Sequence, residues 1–474
     1  KNPMIFSQSD FIVFVNCYSG ILNCFYSCFP NPQSRSDFIT ILYQTFQLNL
    51  QIHKSLYNLL FSFVKCYYAE IIPHLEPIVK ITSTSLVMVD NIEVIYPAIQ
   101  FWSDFAKFEI RIIQRNRNSA SKLPFLDVIS KVAPGLLPML FAIIMKHTQE
   151  SFDSISEDME GDDNYTPDSV CALTMNCLRR FASLSLSIEQ ILLNQYAANL
   201  SSADWKTRLI AVLTFSILSK SGEYSSEITK SAQNQLSPAV YQFYGNHYTD
   251  LITMITDPVE ITSYGAISTL SVVFQSYLSY QYDSLKNVYL AFDMIDNLIG
   301  KTSSETISMA TIERIQCSIC DLIYVISIQN RNSHPSSQQN ERLQFDEEQM
   351  KVQFRIVGSD HPSSPYSVFF FEFLRRLITM FIFPSIQSHK LLETCTDTIL
   401  EVISSSPDEQ IDFLLQYYLP YIFQFMMEQY QFVENPLSVE SNMIDPTLRV
   451  QECLSILSRL IEKSGPKLSH HLQS

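Results

Sequence analysis

Glycine is scarce in this chain: nine in 474 residues, against an ordinary usage of roughly 7%. Tight turns and strand bulges draw on glycine for positive φ, so the shortage argues against a β-rich fold. Charge is scarce too. Lys, Arg, Asp and Glu make up 17% of the residues and hydrophobic types 46%, so most helices need neighbours to cover them. Helix packed on helix throughout meets that need. The ten cysteines fall at irregular spacings in a chain too long to need staples, which reads as reduced thiols of a cytosolic or nuclear protein. The start, KNPMIFSQSDFIVFVNCYSG, lacks a small-residue cleavage site, so its apolar run is not read as a signal peptide. It also lacks an initiator Met, as an excised or partial chain would.

Chemistry-bearing motifs are missing as well. The sequence shows no phosphate-cradling glycine loop, nucleophile elbow or HExxH. Its nine histidines are scattered. The lone CxxC, Cys317 to Cys320, has no second ligand pair and reads as small core thiols, as do Cys24 and Cys28 one turn apart. Neither an enzyme nor a cofactor or metal site is expected. The strongest membrane lookalike, VFFFEFLRRLITMFIF from Val368 to Phe383, carries Glu372, Arg375 and Arg376 in its middle. Each would cost a few kcal/mol in lipid, and a span needs about 20 apolar residues. It reads as a buried helix.

What is present is negative charge. The net charge is −16, which repels phosphate backbones and anionic lipid and favours a basic partner. The charge is concentrated in ESFDSISEDMEGDDNYTPD, Glu150 to Asp168: eight carboxylates in nineteen residues and no Lys or Arg. The stretch admits two readings, a solvated loop or a flexible polyanion that holds a basic ligand. Exposed pairs contribute only about 0–1 kcal/mol each, so the second works by summation and steering.

Repetition is also present. SADWKTRLIAVLTFSILS from Ser202, DPVEITSYGAISTLSVVF from Asp257 and DPTLRVQECLSILSRLIEK from Asp445 share a cadence. An early Asp and a Pro or Trp precede a small residue (Ala211, Ala266, Cys453) and then aliphatics. The Asp accepts from free N–H groups at a helix start, where Pro wastes none, and the small residue lets a neighbouring helix approach. LVMVDNIEVIYPAIQFWSDFAK, with Asp90 and Ala98, is a looser copy. Other helices intervene, such as the one from Ser405, with Ser406 as N-cap, Glu409 at the capping-box position and Pro420 as a bend. Two helices per unit of about 40 residues describe an all-α HEAT-type solenoid. Its repeats occupy 1–328, with the acidic loop at 149–168, and 367–474. A polar Pro/Ser-rich loop, 329–366, separates them; within it MKVQFRIV admits a short strand or a docking peptide.

Several of these stretches resemble a known family. AIQFWSDFAKFE, Ala98 to Glu109, is similar to the helix reading roughly I-E-F-W-S-N in importin-β, the HEAT-repeat nuclear import receptor. In order, EGDDNYTP (Glu160 to Pro167) resembles the family's acidic loop, SADWKTR (Ser202 to Arg208) its N-P-D-W-R-Y-R helix start, and Asp257–Pro258 a further D-P start. The resemblance implies a right-handed superhelix of antiparallel helix pairs, working as a monomer between cytoplasm and nucleus at the nuclear envelope. Its implied partners are Phe-Gly nucleoporins, a Ran-type GTPase in its GTP form, and importin-α or basic cargo.

Residue by residue, the resemblance assigns Glu157, Asp158, Glu160, Asp162 and Asp163 to the acidic loop that meets Ran or basic cargo. Phe38 and Ile39, in SRSDFITIL, match a pair lining the Phe-Gly pocket, although Arg35 stands where the family has an acid and Phe38 reads equally as core. Of the adaptor-stacking positions Tyr165, Ser268 and Cys317, only Tyr165 keeps a ring. With only Trp102 and Trp205 in the chain, importin-α binding is expected to be altered or replaced by direct cargo binding. By the same resemblance the family's first repeats, which contact the GTPase switches, are missing or barely begun at residue 1, which in a complete chain would cripple Ran binding. A different class of function, a static HEAT scaffold for another complex, fits the same composition.

Overall fold

The computed structural model describes residues 28–48, 52–119, 122–147, 167–195, 199–229, 237–277, 389–405, 419–434 and 445–465 continuously. It adds single helical positions between 12 and 20, between 313 and 328, and at 377, 381 and 415. The acidic residues 148–166, the polar loop 329–366 and Ser406 to Glu409 lie outside the described residues. Contacts group the chain into two compact units, Lys1–Tyr277 and Leu278–Ser474.

Among the described residues every regular element is helical. The first unit holds α1 (Pro32–Leu48), α2 (His53–Cys66), α3 (Leu75–Leu86), α4 (Ile92–Asn118), α5 (Val128–His147), α6 (Pro167–Leu184), α7 (Leu186–Gln195), α8 (Trp205–Thr229), α9 (Pro238–Thr253) and α10 (Glu260–Tyr277). They stand in two rows. Odd-numbered helices touch the next odd-numbered helix, even-numbered ones the next even-numbered one, and each odd helix packs on the even one that follows it. That is the solenoid logic of helix pairs stacked side by side. In the second unit α11 (His389–Ser405), α12 (Leu419–Glu434) and α13 (Pro446–Ser464) repeat it, α13 packing on both α11 and α12.

The helix starts follow the local chemistry read from the sequence. Asp204 accepts from the N–H groups of Lys206 and Thr207 at 3.3 and 3.2 Å, Asp257 from Val259 at 2.8 Å and Asp445 from Thr447 at 2.9 Å. Asp90 departs from the pattern. The residue flanking α4 is Asn91, which makes no side-chain cap bond, and Asp90 instead pairs with Lys146 of α5 at 2.8 Å. α13 stops at Gly465, whose positive φ of 51° is a conformation that glycine adopts without the strain a Cβ would bring.

The small residues Ala98, Ala211 and Ala266 sit where the even row of the first unit closes up, and Cys453 lies on α13 in the second; all four are fully buried. Beside Ala266, Gly265 leaves only 3.1 Å between the place a Cβ would take and Leu209 Cδ1 of α8. α10 therefore lies against α8 as closely as its side chains permit.

Among the described residues the helix best able to pass for a membrane span is α5, of mean hydropathy 2.0 over its most apolar window. Its Val128, Leu136, Leu140 and Ile144 are buried in the array, while Lys131, Pro134, Pro138 and Lys146 face solvent. That two-sidedness fits a packed row helix. Of Val368 to Phe383, Leu377 and Phe381 are described, both helical and buried.

Candidate functional site

The five acidic positions Glu157, Asp158, Glu160, Asp162 and Asp163, and Tyr165, lie outside the described residues; the structure describes the two helices that bracket them. α5 ends in a fixed position, because Nε2 of His147 hydrogen-bonds the Val89 carbonyl at 2.8 Å and Lys146 pairs with Asp90. α6 begins at Pro167 and is almost wholly buried from Ser169 onward, with Arg180 donating to the Ser103 hydroxyl at 2.5 Å. The segment thus joins two helices held firmly in opposite rows.

Phe38 and Ile39 are one position apart on α1 and so point about 100° from each other. The fold splits them. Ile39 is 1% exposed, sealed in the core. Phe38 keeps part of its ring accessible at the edge of an aromatic cluster, with centroids 4.6 Å from Phe29, 5.0 Å from Phe63 and 6.3 Å from Tyr18. Such a cluster offers an apolar, polarisable edge to another ring.

Arg35 holds the cluster from below. Its guanidinium donates to the Phe29 carbonyl at 3.1 Å, pairs with Glu70 and lies 5.4 Å over the Tyr67 ring. Tyr67 in turn accepts from the Phe29 N–H at 2.8 Å. Arg35 is buried, so its charge supports the cluster from inside.

Of the remaining positions tied to adaptor stacking, Ser268 is buried within α10 and Cys317 is half-buried. Trp102 is fully buried and stacks on Phe105 at 5.8 Å, its Nε1 without a hydrogen-bond partner among the described residues. It is core. Trp205 is half-buried at the start of α8, with Lys206 Nζ 5.7 Å from its ring centroid.

The CxxC thiols behave as interior groups. Cys320 hydrogen-bonds Cys395, and that contact with burial pushes its thiol well above the ordinary range. Burial, helped by Asp321, pushes Cys317 up to about 12. Both stay protonated near neutral pH, which disfavours metal binding and nucleophilic attack. Among the described residues no three His, Cys, Asp or Glu side chains are grouped to hold a metal.

Two polar clamps escaped the sequence reading. Glu109 of α4, fully buried, accepts from the Val128 and Ile129 N–H groups at 2.8 and 3.1 Å and from the Tyr68 hydroxyl. Tyr68 also accepts from the Leu126 N–H at 3.0 Å. One carboxylate therefore caps α5 while holding the link between α2 and α3. Burial pushes its pKa up, and the Tyr68 and backbone hydrogen bonds oppose that shift. Between α8 and α10, Arg208 grips Asp257 with two bonds of 2.6 and 2.9 Å.

No family model matches the chain, and no curated protein matches it. Solved structures do. Importin beta crystallised in an ammonium sulfate condition is 14% identical with a TM-score of 0.68, over 98% of this chain and 47% of its own. Yeast importin-beta (Kap95p) is 13% identical with a TM-score of 0.65, again over 98% and 47%. Kap121p gives 12% and 0.53, over 98% and 38%. Kap95p is also known in a complex with Nup1 and bound to RanGDP. The chain spans about half the length of the importin-beta structures it matches. At these identities the likeness is one of architecture, and that architecture is the HEAT-repeat solenoid of karyopherin-β type.

Proposed function

We propose that the chain is a nuclear transport receptor of importin-β type, or the part of one that carries these repeats. The observation that carries the reading is the two-row array, which follows importin beta over 98% of this chain. On this reading the protein performs no catalysis; it works by reversible wrapping. Each repeat touches only its neighbours, so small angular changes add along the array. Its partners are Phe-Gly nucleoporins, a Ran-type GTPase loaded with GTP, and importin-α or basic cargo, and it moves between cytoplasm and nucleus through the pore. Phe38 supplies the accessible ring for a Phe-Gly segment, while Ile39 supports it only from the core side of α1. Glu157, Asp158, Glu160, Asp162 and Asp163 meet the basic surface of Ran or cargo, and Tyr165 offers a ring to a basic adaptor tail.

Changing those five acids to Asn or Gln is expected to weaken Ran-GTP association and to flatten its dependence on salt, because each exposed pair is small and the group acts by summation. Titrating both proteins against immobilised GTP-loaded Ran at low and moderate ionic strength checks this. Unchanged affinity at low salt removes the loop from the mechanism. The reading as a whole is tested by retention of the protein on Phe-Gly peptide and on Ran loaded with GTP against GDP. Failure on every one of these surfaces would leave the transport reading without support.

A further inference from the structure

The chain carries a net charge of −16, yet one end of α4 is basic. α4 runs 27 residues, against 14 for α2 and 18 for α6, its neighbours in the row. The side chains that tie it to its surroundings act further back: Phe61 of α2 packs on Phe101, Tyr68 of the turn after α2 packs on Phe105 and Phe108, and Arg180 of α6 reaches Ser103. Beyond lie Arg111 and Arg115, one turn apart and opposite the buried Ala98, Trp102, Phe105 and Glu109, then Arg117 and, in the loop, Lys122. All four are exposed. None of the four has an ion-pair or hydrogen-bond partner among the described residues. The acids nearby do not neutralise them. Glu109 is fully buried and committed to the start of α5, Asp127 is half-buried with Ser130 bonded to it at 2.5 Å, and Asp104 lies about two turns before Arg111.

The loop is fixed beside this end. The Asn116 amide donates to the Leu123 carbonyl at 2.7 Å and accepts from the Leu123 N–H at 2.6 Å. That clasp holds Lys122 near the arginines and leaves Leu123 and Phe125 exposed at 37% and 39%. Cationic forks and two apolar side chains therefore share one ordered surface.

We propose that this surface, Arg111, Arg115, Arg117, Lys122, Leu123 and Phe125, docks an acidic protein segment that carries apolar side chains. Arginine forks match carboxylates two bonds at a time, and Leu123 and Phe125 cover the segment's apolar residues. Charge complementarity selects the occupant. A short acidic peptide lies within the Debye length of the patch, about 8 Å at physiological salt. A nucleic acid strand extends past it over a surface of its own sign, where it is repelled. This goes beyond the transport reading, whose ligands are Phe-Gly segments and basic surfaces, and stands or falls separately from it.

Fluorescence anisotropy on the whole chain tests it, using synthetic peptides of about twelve residues that alternate Asp or Glu with Leu or Phe. Controls are the Asn/Gln version, an all-acidic version without apolar residues, and a single-stranded oligonucleotide of similar length. The acidic–apolar peptides are expected to bind most tightly, with affinity falling as salt rises. Arg111→Glu with Arg115→Glu should weaken them by about tenfold or more, and Phe125→Ser should weaken them while leaving the salt dependence unchanged. Both arginines are exposed, so folding should survive; Arg111→Gln with Arg115→Gln, matched to wild type by circular dichroism, gives the same answer in smaller measure. Binding indifferent to these substitutions, absence of salt-dependent binding across the peptide set, or equal binding of the oligonucleotide would each overturn the proposal.

Discussion

Replacing Arg208 with Ala is expected to destabilise the α8–α10 region by about 3–5 kcal/mol, the scale for removing one partner of a buried ion pair. The Asp257 side chain is 2% exposed and that of Arg208 12%. Without the guanidinium the carboxylate stays in the interior with only the Val259 N–H to satisfy it. The same arginine donates to the Ser202 and Ala203 carbonyls at 2.8 and 3.0 Å, so the turn before α8 loosens as well. Arg208→Met combined with Asp257→Leu should recover most of the loss, because an apolar pair of similar volume removes the desolvation penalty along with the attraction. It would still forfeit about 1 kcal/mol for the cap that Asp257 gives the start of α10. A repeat array need not unfold as one two-state unit, so the measurement is hydrogen exchange of the α8 and α10 amides, with urea unfolding beside it. A change under about 1 kcal/mol for Arg208→Ala would mean the pair is not what joins these two repeats.

The second large effect centres on Glu109. Its replacement by Ala strips the acceptor from the Val128 and Ile129 N–H groups and from the Tyr68 hydroxyl in one step. Each buried polar group left unsatisfied costs about 1–3 kcal/mol. With three donors affected, the start of α5 should fray and the α2–α3 link should loosen together. Hydrogen exchange that speeds at Val128 and Ile129 but leaves the region around Tyr68 unchanged would disprove the shared clamp.

Acidity gives an independent check on the same carboxylate. Burial raises its pKa, so between the ordinary carboxylate range and that raised value the folded state binds more protons than the unfolded one. Stability contributed by this group therefore falls as pH rises through that window. Comparing wild type with Glu109→Ala across mildly acidic pH should show that slope in the wild type alone.

Phe38 and Ile39 show how far spacing alone carries a site. Adjacent in sequence, they are read together as one lining pair. On α1 they part, Ile39 into the core and Phe38 to the margin of the aromatic cluster. Arg35 is visible in the sequence as a departure from the family pattern. Its partners Phe29, Tyr67 and Glu70 are not, since nothing in the local spacing marks a residue 35 positions away as a counter-ion. The basic end of α4 is written in the sequence as arginines one turn apart, but that they stand exposed and, among the described residues, unpaired depends on how the neighbouring helices pack.

The sequence by itself determined that the chain is helical and repetitive, where Asp204, Asp257 and Asp445 begin helices, and which small residues let the rows close. Those features depend on hydrogen bonds closed within a few residues and on side-chain volume, both written in adjacent positions. Only the tertiary structure decided that Asp90 pairs with Lys146 without capping α4, that Glu109 caps a helix starting nineteen positions later, and that Arg208 reaches Asp257. A side chain several ångströms long takes whichever partner the packed rows bring within reach, and that depends on how helices lie against one another.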